Sequence, residues 1–358
     1  MTYSHMANAI GLCSNEPLLV MVTARGQLLI QGRGVNVTMK GVEEVHRPIH
    51  SVQAGIRFKK SLFKVLRNYE LYLLLFPTLL YFIIFHYIPI YGVQIAFKKF
   101  IASKGISGSP WVGFEHFERF FRSDQFLIVL KNTLGISLYE LLVSFPVPIV
   151  LALMLNQLAS EKFKKFVQTV TYAPHFISVV VVVGMLKLFL SPSTGLVNQI
   201  IALFGGESIF FLASVDWFKT LFIFSGVWQN AGWATIIYLA ALAGVNPDLH
   251  EAAVMDGANK LQRVRHIDLP SIMPTIIILL ILNIGHFMSV GYEKVYLMQN
   301  PLNLNASEVI QTYVYKTGLL NAQFSYSAAI GLFNSVVNFI LLITVNQIAK
   351  RMKQTSLW

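Results

Sequence analysis

Residues 71–97 contain no Asp, Glu, Lys or Arg. A hydrocarbon core of roughly 30 Å needs about 20 consecutive apolar residues in a helix. Lipid offers a backbone no hydrogen bonds, so such a stretch must pair its own amides and be helical. The same reading along the chain gives six spans, at about 71–97, 131–158, 166–190, 217–243, 270–297 and 328–349. Composition agrees: 55% of the 358 residues are hydrophobic and 13% are charged, against about a quarter in a soluble domain. The fold expected is an all-α polytopic membrane protein with six transmembrane helices.

The net charge of +11 would suggest a polyanionic partner in a soluble protein, but its distribution reads as topology. Nine Lys/Arg precede the first span, and further basic groups follow the second span (Lys162, Lys164, Lys165), the fourth (Lys260, Arg263, Arg265) and the sixth (Lys350, Arg351, Lys353). On the opposite side basic residues cluster in the first loop, and Lys316 stands alone in the later ones. The positive-inside rule places both termini in the cytoplasm. The partner implied is the inner leaflet of a membrane, not nucleic acid.

Two domains are expected. Residues 1–55 lack a sustained helical period and read as a poorly defined cytoplasmic N-terminal extension, with an internal start at Met39 as the alternative. Residues 56–358 form the membrane domain. The single cysteine, Cys13, excludes a disulfide framework. Outside the spans, 111–124 sets aromatics at helical spacing between charges, which suits a helix at the membrane surface. Residues 191–216 place Pro and Gly turns around apolar pieces, which suits short re-entrant or interfacial helices.

The most specific signal lies in the loop 246–270 between the fourth and fifth spans. Asn246 is a good N-cap, Pro247 fits the first helical position, and Asp248 and Glu251 stand where the helix dipole favours anions. Ala252 and Ala253 make a slim helix, and Gly257 supplies a left-handed exit. A second short helix carries Leu261, Val264 and Ile267 on one stripe before Pro270 opens the next span. A compact helix pair at a fixed distance from the membrane can transmit force to a soluble partner.

Glu251-Ala252-Ala253, Asp256-Gly257, nine residues after that glycine, then Ile267-x-Leu269-Pro270 resembles the EAA loop of permeases from binding-protein-dependent ABC importers. The resemblance extends from about residue 60 to the C-terminus. The segments 69–77, 87–97, 172–178 and 331–350 are similar to the carbohydrate branch that imports polysaccharide fragments such as aldouronate and alginate oligomers. It implies a type I ABC importer permease fold with a cytoplasmic coupling-helix loop, in the bacterial cytoplasmic (inner) membrane. It further implies a second, non-identical permease subunit, a dimer of ABC ATPase subunits, an extracytoplasmic solute-binding protein and an oligosaccharide substrate. Acidic and merely polysaccharide-derived sugars both remain open. Glu251, Ala252, Ala253, Asp256, Gly257, Leu269 and Pro270 are then the ATPase-coupling residues.

Polar groups within spans are costly and usually face a cavity or another helix. Trp228, Asn230 and Trp233 in the fourth span, with Asn283, His286, Tyr292 and Glu293 in the fifth, combine aromatic faces with hydrogen-bonding groups. That is what a sugar pathway requires, although interhelical hydrogen bonds account for such amides equally well. Glu140 is the one carboxylate expected at mid-span. His175 and His286 have no second ligand at metal spacing, so no metal is expected. No phosphate-binding Gly-x-x-x-x-Gly-Lys-Ser/Thr occurs, so the chain is expected to be non-catalytic and cofactor-free, with ATP and Mg on the partner ATPase. The competing readings are an ATP-independent ion-coupled carrier or channel and a membrane enzyme. The first lacks the expected run of intramembrane carboxylates, and the second lacks a recognisable catalytic set.

Overall fold

The computed structural model describes residues 68–352 and 355–357, together with three strands nearer the N-terminus. Those strands, β1 (Leu19–Val22), β2 (Leu28–Gly32) and β3 (Val35–Met39), form an antiparallel meander in which Val20 faces Ile30 and Ile30 faces Val37. The 1–55 segment therefore contains a small sheet, which its short apolar patches did not reveal. Cys13 and the basic residues 57–67 lie outside the described residues. By internal packing the chain divides into two units, Met1–Phe82 and Ile83–Trp358.

From Tyr69 onward the chain is helical in type. In order come α1 (Tyr69–Phe97), α2 (Glu115–Phe121), α3 (Asp124–Asn156), α4 (Glu161–Tyr172), α5 (Val179–Phe189), α6 (Leu196–Leu203) and α7 (Val215–Ala243). They are followed by α8 (Pro247–Met255), α9 (Lys260–Gly285), α10 (Tyr292–Met298), α11 (Ile310–Tyr315) and α12 (Phe324–Arg351). Four of these, α1, α3, α9 and α12, are long and apolar enough to cross a membrane. The stretch Glu161–Phe176 and α5 together make a fifth if taken as one span, bent by 98°.

Two expected spans change shape. The third is broken rather than straight, because a 3-10 turn at Ala173–Phe176 precedes Ser178, whose side chain caps α5 by accepting from the Val181 amide. The carbonyl of Ile177 at the bend accepts from Gln229 Nε2 of α7 at 2.8 Å. The fifth stops at Gly285 instead of 297: the chain turns at His286 and Phe287, whose amides bond to Asn283 and Ile284, and restarts as α10. Apolar composition ran on through that turn and concealed it. The fourth expected span, α7, is 29 residues long but is not one of the four apolar helices, since Ser225, Gln229, Asn230 and Thr235 interrupt it. It is also among the most internally packed helices, with Phe218, Phe222, Ile223 and Tyr238 buried.

Three apolar clusters hold the membrane domain. Ile136 of α3, Val183 of α5, Phe222 of α7 and Val295 of α10 meet in one. Phe120 of α2, Val129 of α3, Met288, Ile310 of α11 and Tyr326 of α12 form the second, so the aromatic surface segment expected at 111–124 is anchored by Phe120. Ala152, Tyr238, Leu242 and Ile272 join α3, α7 and α9 in the third. Gly232 permits one close approach, because a Cβ there would lie 2.1 Å from the Thr171 carbonyl oxygen of α4.

Candidate transport site

A cavity of about 410 Å³ opens between α3, α7 and α9. Glu140, Ser137 and Ser144 reach it from α3, Gly226 and Asn230 from α7, Asn283 from α9 and His286 from the turn that ends it. Asn230, Asn283 and His286 were expected on the pathway and line the cavity. Trp228, Trp233, Tyr292 and Glu293 do not line it, and Tyr292 packs its ring 5.6 Å from that of Tyr315. Tyr292 and Glu293 move away because the fifth span ends before them. Trp228 and Trp233 lie on faces of α7 turned from the cavity.

The wall offers both hydrogen-bond donors and acceptors. Asn283 Nδ2 is used by the Leu279 carbonyl at 2.8 Å, which leaves its Oδ1 free to accept. His286 Nδ1 donates to the Leu282 carbonyl at 3.2 Å, which in the neutral ring leaves the lone pair on Nε2. Ser137 Oγ is buried without a partner. Glu140 adds a carboxylate, within electrostatic reach of the Lys294 ammonium. Lys294 is itself buried, donating to the Phe222 carbonyl at 2.8 Å with its Nζ 4.9 Å from the Phe222 ring centre. Hydroxyl, amide, imidazole and carboxylate groups set among apolar side chains match ligands rich in hydroxyls, which both donate and accept.

Sequence reasoning missed the serines, although Ser137 precedes Glu140 by three positions and so shares its helix face. It also missed His175. That ring stacks on Trp233 with centres 4.6 Å apart, and its Nδ1 donates to Asn230 Oδ1 at 3.0 Å. Asn230 Nδ2 in turn donates to the Gly226 carbonyl at 3.2 Å, so its amide is held from both ends.

The first helix of the loop between α7 and α9 takes the expected form. The second is not separate: it continues through a π turn at Val264–Asp268 into the span, so α9 opens at Lys260 and not at Pro270. Asn246 caps α8 by accepting from the Asp248 amide at 3.0 Å, with Pro247 in the first turn. Gly257 adopts φ +79°, and the Ala258 amide bonds back to the Ala253 carbonyl at 2.8 Å, closing α8 with a left-handed residue. Asn259 and Gln262 then form a capping box at 2.7 and 2.9 Å that starts α9. Glu251, Ala252, Asp256 and Gly257 are exposed, Ala253 is half-buried, and the apolar tips of Met255 and Leu261 stand in solvent at 87% and 76% exposure. Leu269 and Pro270 follow the π turn within α9, half-buried and exposed respectively.

A membrane domain with a polar cavity between helices and a capped, outward-facing helix pair defines a transport permease. Residues 144–354 match the family of binding-protein-dependent transport system inner membrane components, and the chain belongs to that family. It is 46% identical over 300 residues to the polygalacturonan/rhamnogalacturonan transport system permease protein YteP of Bacillus subtilis, covering 84% of this chain and 94% of that protein. Protein LplB of the same organism is 44% identical over 311 residues, covering 87% and 97%. Among solved structures, a bacterial ABC transporter involved in the import of the acidic polysaccharide alginate contains a chain 41% identical to this one. The match has a TM-score of 0.77 and covers 82% of this chain and all of that one.

Proposed function

We propose that this chain is the membrane-spanning subunit of an ATP-driven importer for an oligosaccharide released from a polysaccharide. The observation that carries the reading is the pairing of α8 with the cavity. An exposed helix headed by an N-cap and closed by Gly257 is suited to dock into a cleft of a soluble ATPase. The same membrane domain holds a cavity whose polar groups suit sugar hydroxyls. In this reading Glu251, Ala252, Ala253, Asp256 and Gly257 make the contact, and Leu269 and Pro270 fix where the loop rejoins the membrane.

The chain carries no chemistry of its own. ATP and Mg belong to two ABC ATPase subunits, and a second, non-identical six-span permease completes the pathway. A solute-binding protein delivers sugar on the outer face. The loop bearing α8 and both termini then lie in the cytoplasm, in keeping with the distribution of Lys and Arg. A solved bacterial alginate ABC transporter in complex with alginate pentasaccharide-bound periplasmic protein supports such delivery here, and relatives named for polygalacturonan/rhamnogalacturonan and arabinooligosaccharides support a sugar oligomer as cargo.

Purification of the tagged chain from its native membranes tests the reading, with co-eluting proteins identified by mass spectrometry. An ABC ATPase and a second permease should co-elute, and Glu251→Lys should lose the ATPase while keeping the permease partner. Recovery of the chain alone would remove the reading. Uptake by vesicles holding the whole importer, offered oligogalacturonides and neutral oligosaccharides in turn, then identifies the sugar class.

A further inference from the structure

One buried carboxylate ties α8 to the helices that build the cavity. Asp268 has no exposed surface and lies in the π turn Val264–Asp268 near the start of α9. Its Oδ1 is 3.1 Å from His250 Nε2 on α8 and accepts from Asn156 Nδ2 at 3.5 Å. Its Oδ2 accepts from Gln157 Nε2 at 2.9 Å. Asn156 is the last residue of α3 and Gln157 caps it. Three chain segments therefore meet on one side chain.

The chemistry of this junction differs from that of the packing around it. Apolar contact between helices tolerates sliding, whereas a carboxylate out of water needs its donors at short range and in line. Ala152, Tyr238, Leu242 and Ile272 already hold α3, α7 and α9 together by apolar contact, and none of them is on α8. Asp268 adds a directional link between α8 and two of those helices. Both carry cavity wall: Ser137 and Glu140 on α3, and Asn283 on α9 with His286 at its end. The third wall, α7, reaches α8 through the short backbone link Gly244–Val245–Asn246.

We infer that Asp268, held by His250 and Gln157, is the positioning joint through which movement of α8 reaches the cavity walls on α3 and α9. The inference rests on the reading of α8 as the ATPase-docking helix. A displaced α8 carries His250 with it, and Asp268 cannot lose that donor without being left short in a dry site. The carboxylate follows, and with it the start of α9 and the end of α3.

The test uses the whole importer, with both permeases and both ATPases, in lipid nanodiscs. Cys13→Ser removes the native thiol, and Ser144→Cys in the cavity wall reports access through its rate of labelling by a small maleimide. Rates are compared without nucleotide and after trapping with ATP and vanadate. In the reporter background the two rates should differ. Asp268→Ala and His250→Ala should retain the ATPase subunits and basal hydrolysis, yet reduce that difference at least fivefold. His250→Gln, which keeps an N–H donor, should restore most of it. The double variant His250→Ala/Asp268→Ala should be no worse than Asp268→Ala, since both remove one link.

An unchanged nucleotide response in Asp268→Ala, or losses that add in the double variant, would overturn the joint. So would loss of the ATPase from His250→Ala, because the network would then serve only to fold α8. No nucleotide response in the reporter background itself would instead sink the docking reading on which the joint stands.

Discussion

The imidazole of His175 lies flat on the indole of Trp233, with planes 5° apart, and from that position donates to the Asn230 side chain on the cavity wall. A residue outside the cavity thereby fixes which way a residue inside it points. Removing the donor with His175→Ala forfeits about 1 kcal/mol of orienting hydrogen bond, which corresponds to roughly a fivefold loss of sugar uptake by reconstituted vesicles. Trp233→Ala should act in the same direction by freeing the imidazole, and Trp233→Phe should retain most of the rate because a ring still supports the stack. Equal uptake in all three would mean that Asn230 does not contact the sugar.

Gly232 meets the backbone of Thr171, which cannot turn aside as a side chain could. Gly232→Ala should force α7 away from α4 and cost about 1–3 kcal/mol, seen as a lower midpoint in fluorescence-detected thermal unfolding of the detergent-solubilised complex. Gly184→Ala is the control. A Cβ there meets nothing within 4 Å, and its midpoint should not fall.

Glu308 is almost fully buried, accepting from Thr312 Oγ1 at 2.9 Å and from Lys316 Nζ at 2.6 Å. Lys316→Met leaves that carboxylate short of its cation. With the lysine side chain about a quarter exposed, the expected destabilisation is about 2–3 kcal/mol, at the lower edge of what a broken buried pair costs. Glu308→Gln/Lys316→Met should recover part of it. The same thermal assay decides, and a double variant less stable than Lys316→Met would contradict the pairing.

At Gly257 the backbone sits at φ +79° with open space around the missing Cβ, so the demand is conformational and not steric. A β-branched residue there should be worse than asparagine, which tolerates the left-handed region. Gly257→Val is expected to lower the amount of ATPase that co-purifies, at a cost of about 1–2 kcal/mol to the α8 exit, while Gly257→Asn keeps most of it. Identical recovery from the two variants would remove the turn from the docking reading.

The loop 246–270 was the most legible part of the sequence, because caps, proline and glycine act within a few residues of themselves. Asn246, Pro247 and Gly257 were found in place around α8, whereas Leu269 and Pro270 lie about ten residues inside α9. The spans were legible in position and less so in form. Hydropathy sees no difference between a continuous helix and one that turns at His286 or bends at Ile177, since both breaks are made of residues apolar enough to stay in a span. The cavity was half legible for a related reason. Asn283 and Asn230 stand out as amides among apolar neighbours, but which face they take depends on tertiary packing. Trp228 and Trp233 share the helix of Asn230 and turn elsewhere. Asp268 carries no local signal in the sequence, because nothing near it indicates that His250 and Gln157 converge on it.

The bend between α4 and α5 takes the Ile177 carbonyl out of the helical ladder, and the donor it finds comes from Gln229, more than fifty residues further along. The corner is thus encoded in a different helix from the one that turns. A chimera that exchanged the segment up to α5 between two relatives and left α7 behind would inherit the corner without its support. Crossover points for swapping specificity among such permeases therefore have to keep Ile177 and Gln229 from the same parent.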